Sequence, residues 1–368
     1  MPKEHKELKY KVSFATPAFL GNVDQQAQWR TPPFKALIRQ WWRVVKAREM
    51  SYDVARLRTA ENELFGTASD DGPEKSHRSL LRLRLSSWDD GKLKDWPAGA
   101  QQGRRPLPHP EAGRPVDAEF YLGYGVLERN RETHAIQLGI SKSSGLTRTA
   151  IDEKSDVELR LMFPSDYEQE LRAAMQLINW FGTVGSRARN GWGALQLTEV
   201  GHPPTVIQSK ETVAAYVRPL ADCLKLEWPH AIGADSQGPL IWKTAPTGTW
   251  RDVMHELAKL KIAYRTQATP FPNAPPGPIQ ARHLLAYPTG TKHPVDAWEK
   301  QARLANQMRF KVIKVGSQCA GIVVHVPCKL PDILRKELNA ADVPSELAVW
   351  QSVHRVLDNP NNQLTRLG

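Results

Sequence analysis

The apolar positions of the N-terminal half repeat with two different periods. Residues 9–15 alternate between polar and apolar side chains, which predicts a half-buried strand. Apolar residues then recur every three or four positions through residues 31–45, which predicts an amphipathic helix. Alternation at residues 81–85 and an apolar run at 155–163 predict two more strands, and helical spacing returns at 165–180. This half therefore mixes strands and helices.

The C-terminal half shows the same mixture less sharply. Thr249 precedes a helical pattern and is predicted to cap it. Residues 295–307 also have helical spacing. Two apolar runs meet at Gly316 and predict a hairpin, and a last helix is predicted over residues 345–357. Helices and strands thus continue to the end of the chain.

The order of these elements predicts the fold class. Residues 119–127 and 133–140 are two further predicted strands, and neither half shows the regular β-α alternation of a parallel sheet. We therefore predict an α+β protein with two antiparallel sheets backed by helices, divided into domains at 1–204 and 205–368. Residues 95–117, rich in Pro and Gly without periodicity, are predicted to be an insertion loop of the first domain.

Composition narrows the class of protein. The chain has 368 residues, of which 40% are hydrophobic and 24% charged, as in a globular protein. Its net charge of +11 is shared by both halves, which suits a protein that lies along a polyanion. No apolar run predicts a membrane span, and the charged N-terminus does not resemble a signal peptide. The three cysteines match no zinc motif, so reduced thiols and a cytoplasmic location are expected.

The helix predicted at residues 31–45 carries charge of a single sign. Six Lys or Arg residues and no acid lie between residues 30 and 48. A solvated helix usually mixes charges, because opposite charges three or four residues apart stabilise it. A face of one sign predicts an anionic partner, with phosphate as the first candidate. The alternative is a solvated cationic surface that serves only solubility.

A second cationic segment, GTVGSRARNGWG, follows the helix predicted at residues 165–180. Its glycines allow the backbone to approach a ligand closely, and its two arginines can fork onto phosphate oxygens. The alternative is a plain turn between helix and strand. If the first interpretation holds, this segment and the basic helix form one groove for a nucleotide chain.

The sequence contains no recognisable catalytic set. The eleven histidines are scattered, and no phosphate-binding loop, dinucleotide motif or nucleophile elbow is present, so no cofactor and no metal are expected. Asp24, in the loop before the basic helix, is the one candidate: a carboxylate beside RNA could activate a ribose 2′-hydroxyl or hold a metal. The alternative is that it caps the loop or pairs with Arg30.

Several of these motifs resemble one known family. TPAFLGNVDQ followed by RTPPFKALIRQWWRVV is similar to the opening signature of the RAMP superfamily of type III CRISPR-Cas effectors, and specifically to the large first RAMP subunit of the Cmr (type III-B) complex. ELFG at residues 63–66 and the glycine segment fit the same family, and the resemblance covers most of residues 8–197. Asn22 and Val23 stand where the family usually has Gly-Ala, and Ala36 where it usually has Gly.

The resemblance implies two ferredoxin-like, RRM-like domains and a non-catalytic RNA-binding subunit near the 3′ part of the CRISPR RNA. Its partners would be the guide RNA, target RNA and other Cmr subunits, above all neighbouring RAMP subunits. A sister subunit carries an Asp in the loop that corresponds to Asp24 and cuts target RNA. The residues expected to contact RNA are Arg30, Lys35, Arg39, Arg43, His77, Arg78, Gly185, Arg187, Arg189, Gly191 and Gly193.

Three alternatives remain open. The protein could be a metal-independent RAMP endoribonuclease that trims CRISPR RNA precursors, which would need a general acid and base near the scissile phosphate. It could be a target-cleaving subunit that uses Asp24. It could also be a protein-binding cap of the complex whose positive charge is incidental.

Overall fold

A computed structural model of the protein describes residues 4–67, 76–96, 106–271, 277–289 and 293–368. In its described parts the chain divides into two compact units, neither continuous in sequence. The first consists of Met1–Gln102, Gly123–Gln208 and Lys311–Ile313, and the second of Gly103–Leu122, Ser209–Phe310 and Lys314–Gly368. The domain boundary expected between residues 204 and 205 stays a prediction.

The described residues form α-helices and β-strands in alternating groups along the chain. The helices are α1 (Thr31–Ala47), α2 (Val54–Phe65), α3 (Ala118–Gly123), α4 (Glu168–Phe181), α5 (Leu220–Cys223), α6 (Trp250–Ala263), α7 (Ala281–Leu285), α8 (Asp332–Arg335) and α9 (Glu346–Leu357). The strands are β1 (His5–Phe14), β2 (Arg82–Leu85), β3 (Leu127–Arg129), β4 (Ile136–Leu138), β5 (Asp156–Pro164), β6 (Leu195–Glu199), β7 (Val217–Pro219), β8 (Ile232–Asp235), β9 (Gly238–Pro239), β10 (Ile241–Thr244), β11 (Met308–Val315), β12 (Gln318–His325) and β13 (Leu364–Arg366).

The main sheet of the first unit has the strand order β2-β5-β1-β6, and its pairs are antiparallel. With α1 after β1 and α4 after β5, the unit follows the order β-α-β-β-α-β, which is the ferredoxin-like arrangement. A second sheet repeats this order: β10, α6, β11, β12, α9 and β13 occur in this sequence along the chain, and the four strands are arranged β11-β12-β10-β13. The predicted α+β class with antiparallel sheets is confirmed.

The core of the first unit lies where α1 and α4 pack together and where the inward side chains of β1 are buried. Trp41 of α1 stacks on Phe181 of α4 with ring centroids 5.7 Å apart. Trp42 is fully buried and donates its indole N–H to the Glu170 carboxylate at 2.6 Å, so the polar edge of a buried ring is satisfied. The predicted apolar stripe of α1 is thus the face that anchors the helix.

The end of α2 depends on a glycine. Gly66 has φ +77°, a conformation that other residues rarely adopt, and a Cβ added there would lie 2.6 Å from the Ser79 nitrogen. The chain beyond α2 therefore passes directly against residues 77–79. This close approach brings the end of α2 and the start of the β2 segment together beside α1.

Two predicted elements are wrong. The segment at residues 119–127 was expected to be a strand, but α3 occupies its first part because Asp117 accepts a hydrogen bond from the Phe120 nitrogen at 3.0 Å. Residues 295–307 are not helical; Trp298 is buried there and donates its indole N–H to the Leu334 carbonyl at 2.9 Å. In residues 295–307, burial of the Trp298 ring in the tertiary structure outweighs the helical spacing of the apolar residues.

The remaining expectations have mixed outcomes. Thr249 caps α6, and β11 and β12 are neighbours joined through Gly316, both as predicted; the cap is a capping box that also includes Asp252. Residues 97–105 of the expected insertion loop lie outside the described residues, and 106–117 belong to the second unit. The three cysteines are buried, and none of them forms a disulfide bond. None of the described helices combines the length and the apolar character that crossing a membrane requires.

A pair of histidines is buried in the core of the second unit. The Nδ1 atom of His325 lies 3.0 Å from Nε2 of His354, and the His325 ring packs against Trp350. Burial lowers the pKa of His354 to about 4, with Arg366 contributing and Asp235 and Asp358 opposing the shift. Burial also lowers the pKa of His325 well below its ordinary value, and His354 adds to this effect. Both rings are therefore neutral in the folded protein at neutral pH.

We predict that the protein loses stability as the pH falls from 7 to 5. The unfolded chain takes up protons at these histidines below a pH of about 6.5, whereas the folded protein does not until near pH 4. At pH 5 the loss is about 2 kcal/mol for His354. Urea unfolding at both pH values measures it. His354→Gln should flatten this dependence, and exposed His5→Gln should not; an unchanged slope in His354→Gln would contradict the assignment.

Candidate nucleic-acid interface

An open, cationic depression lies between α1, the end of α2 and the segment before β2. Part of it, about 440 Å³, is lined by Thr31, Pro32, Lys35, Ala36, Arg39, Leu81 and Leu83. The adjoining part, about 520 Å³, is lined by Lys35, Arg39, Asn62, Phe65, Gly66, Thr67, His77 and Ser79. Lys35 and Arg39 belong to both parts, so we call the whole the basic groove. Three of the expected RNA contacts, Lys35, Arg39 and His77, are thereby brought together.

Lys35 is the most available cation of this groove. Burial lowers the pKa of Lys35, and the nearby charge of Arg39 lowers it further. Among the described residues no carboxylate lies within ion-pair distance of its ammonium group. An anion bound in the groove would offset both effects, because it supplies the missing opposite charge. This lysine is therefore poised to receive a negatively charged ligand.

Arg39 is fixed in position by the end of α2. Its guanidinium donates to the Gly66 carbonyl at 3.1 Å and lies 5.3 Å from the centre of the Phe65 ring. Its Nε lies 3.3 Å from the Glu61 carboxylate. These contacts restrain the side chain at the groove wall, which reduces the conformational entropy that binding would otherwise cost.

Arg43 has a structural partner. Its guanidinium makes a two-pronged hydrogen bond to Glu61, one branch of which, from Nη2 to Oε1, measures 2.6 Å. The hydrogen bond with Glu61 raises the pKa of Arg43. Because the Glu61 side chain is 9% exposed, its charge needs this compensation. The expectation that Arg43 contacts RNA stays a prediction, and the pairing gives this residue a clear role in joining α1 to α2.

The basic face of α1 is less uniform in the fold than in the sequence. Lys46 lies 2.6 Å from Glu49 and 3.0 Å from Glu170, so acids from elsewhere neutralise the C-terminal end of the face. Arg30 is the N-cap residue of α1, and its Nε is buried without a hydrogen-bond partner. Arg78 is exposed next to the groove residue His77. The positive potential is concentrated at the N-terminal half of α1.

The glycine segment packs against the loop after β1. Ser186 donates its backbone N–H to the Phe19 carbonyl at 2.9 Å, and Gly193 donates to Pro17 at 3.0 Å. A Cβ at Gly193 would lie 2.0 Å from the Val184 carbonyl oxygen, and one at Gly185 would lie 2.7 Å from that of Phe19. The backbone itself therefore demands these two glycines, as the turn interpretation expected. Gly191 accepts a hydrogen bond from the Thr16 hydroxyl at 2.7 Å.

The two arginines of this segment lie in one tight turn. Arg187 has φ +59°, and its carbonyl accepts a hydrogen bond from the Asn190 nitrogen at 2.9 Å. A Cβ built at Gly125 would lie 3.0 Å from Arg187 Nη2, so the guanidinium lies against the Gly125 backbone. Arg189 is half-buried in the same turn. This turn is a second cationic feature of the first unit.

The basic groove and the glycine segment do not form the single groove that the sequence suggested. The groove lies beside β2, whereas the glycine segment leads into β6, and these strands form opposite edges of the sheet. No residue of the glycine segment lines the groove as described. The strand order separates the two features, although each has the positive charge expected from the sequence.

Asp24 is exposed in the turn after β1. Its backbone N–H donates to the Asn22 side chain at 2.9 Å, and its carbonyl accepts from the Ser144 hydroxyl at 2.9 Å. Its carboxylate makes no hydrogen bond or ion pair within the described residues. The expected capping role therefore belongs to Asn22, and pairing with Arg30 is not observed. Within the described ranges no group of three or more His, Cys, Asp or Glu side chains could hold a metal ion.

A family model for the RAMP superfamily matches residues 12–196, half of the chain. The chain belongs to the RAMP superfamily. The match begins near the end of β1 and ends at the start of β6, and so includes both the basic groove and the glycine segment. The resemblance seen in the sequence motifs is confirmed at this level.

The solved structures to which the chain is similar include CRISPR proteins. The chain is similar to Cmr1 from Pyrococcus furiosus in its apo form, with 13% identity, a TM-score of 0.46 and 98% of each chain covered. It is also similar to a chain of a type III-B Cmr-β complex bound to cognate target RNA, with 12% identity, a TM-score of 0.42 and coverage of 95% and 100%. A comparison with curated proteins finds no match.

Sequence reasoning did not single out a row of cations on the exposed face of this RAMP sheet. Lys9 of β1 pairs with Arg160 of β5, and Arg160 pairs with Arg84 of β2. Adjacent strands are about 4.8 Å apart, and like charges directly opposite one another are destabilising unless they are compensated. Glu7, 3.2 Å from Lys9, and Glu158, 2.6 Å from Arg160, supply this compensation. Period-two alternation places each cation on the outer face, but strand register alone aligns the three.

We predict that Gly193→Ala lowers the free energy of unfolding by about 2–3 kcal/mol. The new Cβ would collide with the Val184 carbonyl, and the residue would have to keep φ +61°. Chemical denaturation measures the loss. Gly201→Ala is the matched control, because it also has positive φ but has no atom within 4 Å of the added Cβ. Equal losses in the two variants would show that backbone conformation, and not close approach, explains this glycine.

Proposed function

We propose that this RAMP protein is a non-catalytic, RNA-binding subunit of a type III-B CRISPR-Cas effector complex. In this role it caps the end of the ribonucleoprotein near the 3′ part of the CRISPR RNA and helps to capture target RNA. The observation that carries the RNA-binding part is the basic groove, in which Lys35 and Arg39 face open space with His77. The assignment to the type III-B complex is supported by the sequence motifs.

The groove suits a phosphate backbone better than a base edge. It presents two long cationic side chains and an imidazole, groups that form hydrogen bonds or ion pairs with phosphate oxygens without distinguishing sequence. Its open shape fits an extended strand, which is how single-stranded RNA is presented to proteins. Sequence recognition would then come from pairing between guide and target, and the protein would hold the pair in place.

Lys35 is the residue on which to test this role. Replacing Arg43 would leave the buried Glu61 without its main partner, so lost binding could reflect misfolding. Arg39 also contacts Glu61 and Gly66. Lys35 makes no ion pair with a described residue, and a substitution there removes charge without breaking a contact that holds the fold together.

We predict that Lys35→Glu weakens binding of single-stranded RNA about tenfold, which corresponds to ~1.4 kcal/mol. Lys35→Gln should weaken it less. In both variants the slope of log K against log salt should become shallower by about 0.7 for the phosphate contact that is lost. Fluorescence anisotropy with a labelled guide-length RNA, across a series of salt concentrations, measures both quantities.

Arg355→Glu provides the matched control. This arginine is exposed on α9 in the second unit, and its replacement by Glu changes the charge by the same amount as Lys35→Glu. It should affect RNA binding far less than Lys35→Glu if the groove is the site. Equal losses would mean that net charge alone matters, and unchanged binding by both Lys35 variants would remove the groove from the RNA site. Complex assembly that survives both nuclease treatment and these substitutions would favour a protein-binding cap.

Target cleavage by Asp24 is the second candidate function. Its carboxylate is exposed and makes no hydrogen bond or ion pair with a described residue, which leaves both oxygens available to a metal ion. Against this role, no second carboxylate or imidazole joins it in a cluster among the described residues. A lone carboxylate holds a catalytic divalent cation only with further ligands from substrate or solvent.

Under the proposed non-catalytic role, Asp24→Ala should leave cleavage of target RNA unchanged. The assay is metal-dependent cutting of labelled target by the assembled complex with wild-type or variant protein. Asp24→Asn serves as the control, because it removes the charge but keeps the shape. If either variant abolished cutting while guide and target binding persisted, the protein would be a catalytic subunit.

A further inference from the structure

A second cluster of cations lies in the first unit, away from the basic groove. It contains Arg148, in the loop after β4, and Arg187, in the glycine segment. Backbone hydrogen bonds place them on a common framework: Arg148 donates to the Gly139 carbonyl at 2.9 Å, and Gly139 donates to that of Val126 at 2.9 Å. Val126 directly follows Gly125, against which the Arg187 guanidinium lies.

Neither arginine is neutralised within the described residues. Arg148 donates from Nη1 to the neutral Gln25 side chain at 2.8 Å, while its buried Nε has no hydrogen-bond partner. No carboxylate lies within ion-pair distance of either guanidinium; Asp24 and Glu128, the acids on the adjoining segments, contact neither. Partial loss of water lowers the pKa of Arg187; Tyr124 opposes this shift, and the charge of Arg148 adds to it. Two crowded cations of this kind are stabilised by an anion.

The backbone conformation of Arg187 is a second indication of a ligand site. Arg187 adopts φ +59°, a left-handed conformation that costs a non-glycine residue about 1 kcal/mol. Such conformations persist where the surrounding structure holds them, and they are concentrated at ligand sites. Here the conformation directs a guanidinium toward Gly125, where the absence of a side chain leaves room for it.

An exposed aromatic ring completes the cluster. Tyr124 precedes Gly125, is 66% exposed, and lies close enough to Arg187 to affect its pKa. A tyrosine of this exposure beside two arginines is the combination with which proteins hold single-stranded nucleic acid, since the ring stacks on a base and the cations take the phosphate.

We infer that Arg148, Arg187 and Tyr124 form a second RNA-contact site that holds one nucleotide, with its phosphate on the two guanidinium groups and its base on the tyrosine ring. This inference deepens and depends on the RNA-binding role proposed above. It assigns functions to Arg148 and Tyr124, which the sequence did not single out. It also gives the glycine segment a role as the support that presents Arg187.

The test uses the full chain and a labelled single-stranded RNA in anisotropy titrations at several salt concentrations. Arg148→Gln and Arg187→Gln should each weaken binding about three- to tenfold and make the salt slope shallower by about 0.7. Tyr124→Leu should weaken binding about tenfold with an unchanged salt slope, because stacking releases no counterions. Tyr124→Phe, which keeps the ring, should bind like the wild type.

Controls separate this inference from the proposed function. Arg131→Gln, an exposed arginine between β3 and β4, makes the same change of charge and should leave the affinity within about twofold. If Lys35→Gln weakens binding and the three variants do not, the second site is wrong and the groove stands. If none of the variants weakens binding, the RNA-binding function itself is wrong. Loss of binding in Tyr124→Phe equal to that in Tyr124→Leu would exclude stacking.

Discussion

The buried carboxylate of Glu61 is the interaction on which the basic groove depends. Arg43 forms a two-pronged hydrogen bond with this carboxylate, and the Nε of Arg39 lies 3.3 Å from it. One acid of α2 therefore interacts with two cations of α1. An unpaired charge in this position would be strongly unfavourable, which ties the two helices together. Of the lysine and arginine that line the groove, Lys35 is the one without an acid partner among the described residues. A structural ion pair thus determines which basic residue remains available for a ligand.

The strand order and register of the first unit's main sheet determine where its cationic side chains lie. The strand order places the basic groove at the β2 edge and the glycine segment at the β6 edge, while register aligns Lys9, Arg160 and Arg84 across the exposed face. A polyanion that contacted more than one of these features would therefore cross the sheet. Under the proposed RNA-binding role, each phosphate contact would add counterion release without sequence preference.

The local pattern of apolar and polar residues predicted many of the secondary-structure elements. The alternation before Phe14, the apolar stripe of α1 and the capping box at Thr249 each depend on residues close in sequence, and all three are present in the fold. The wrong elements have a different cause. Helix α3 depends on the side-chain cap of Asp117, and the irregular segment around residue 298 depends on the buried ring of Trp298. These effects outweigh the periodic spacing of apolar residues in the sequence.

By itself, the sequence determined the α+β class, the family signature and the presence of cationic segments, because these follow from spacing and composition. Only the tertiary structure decided which cations are free to act. Glu61 and Glu170 are distant in sequence from the arginines and lysine that they neutralise, and Tyr124, Arg148 and Arg187 come from three separate loops. Electrostatic pairing depends on distance in space, which the folded chain alone fixes.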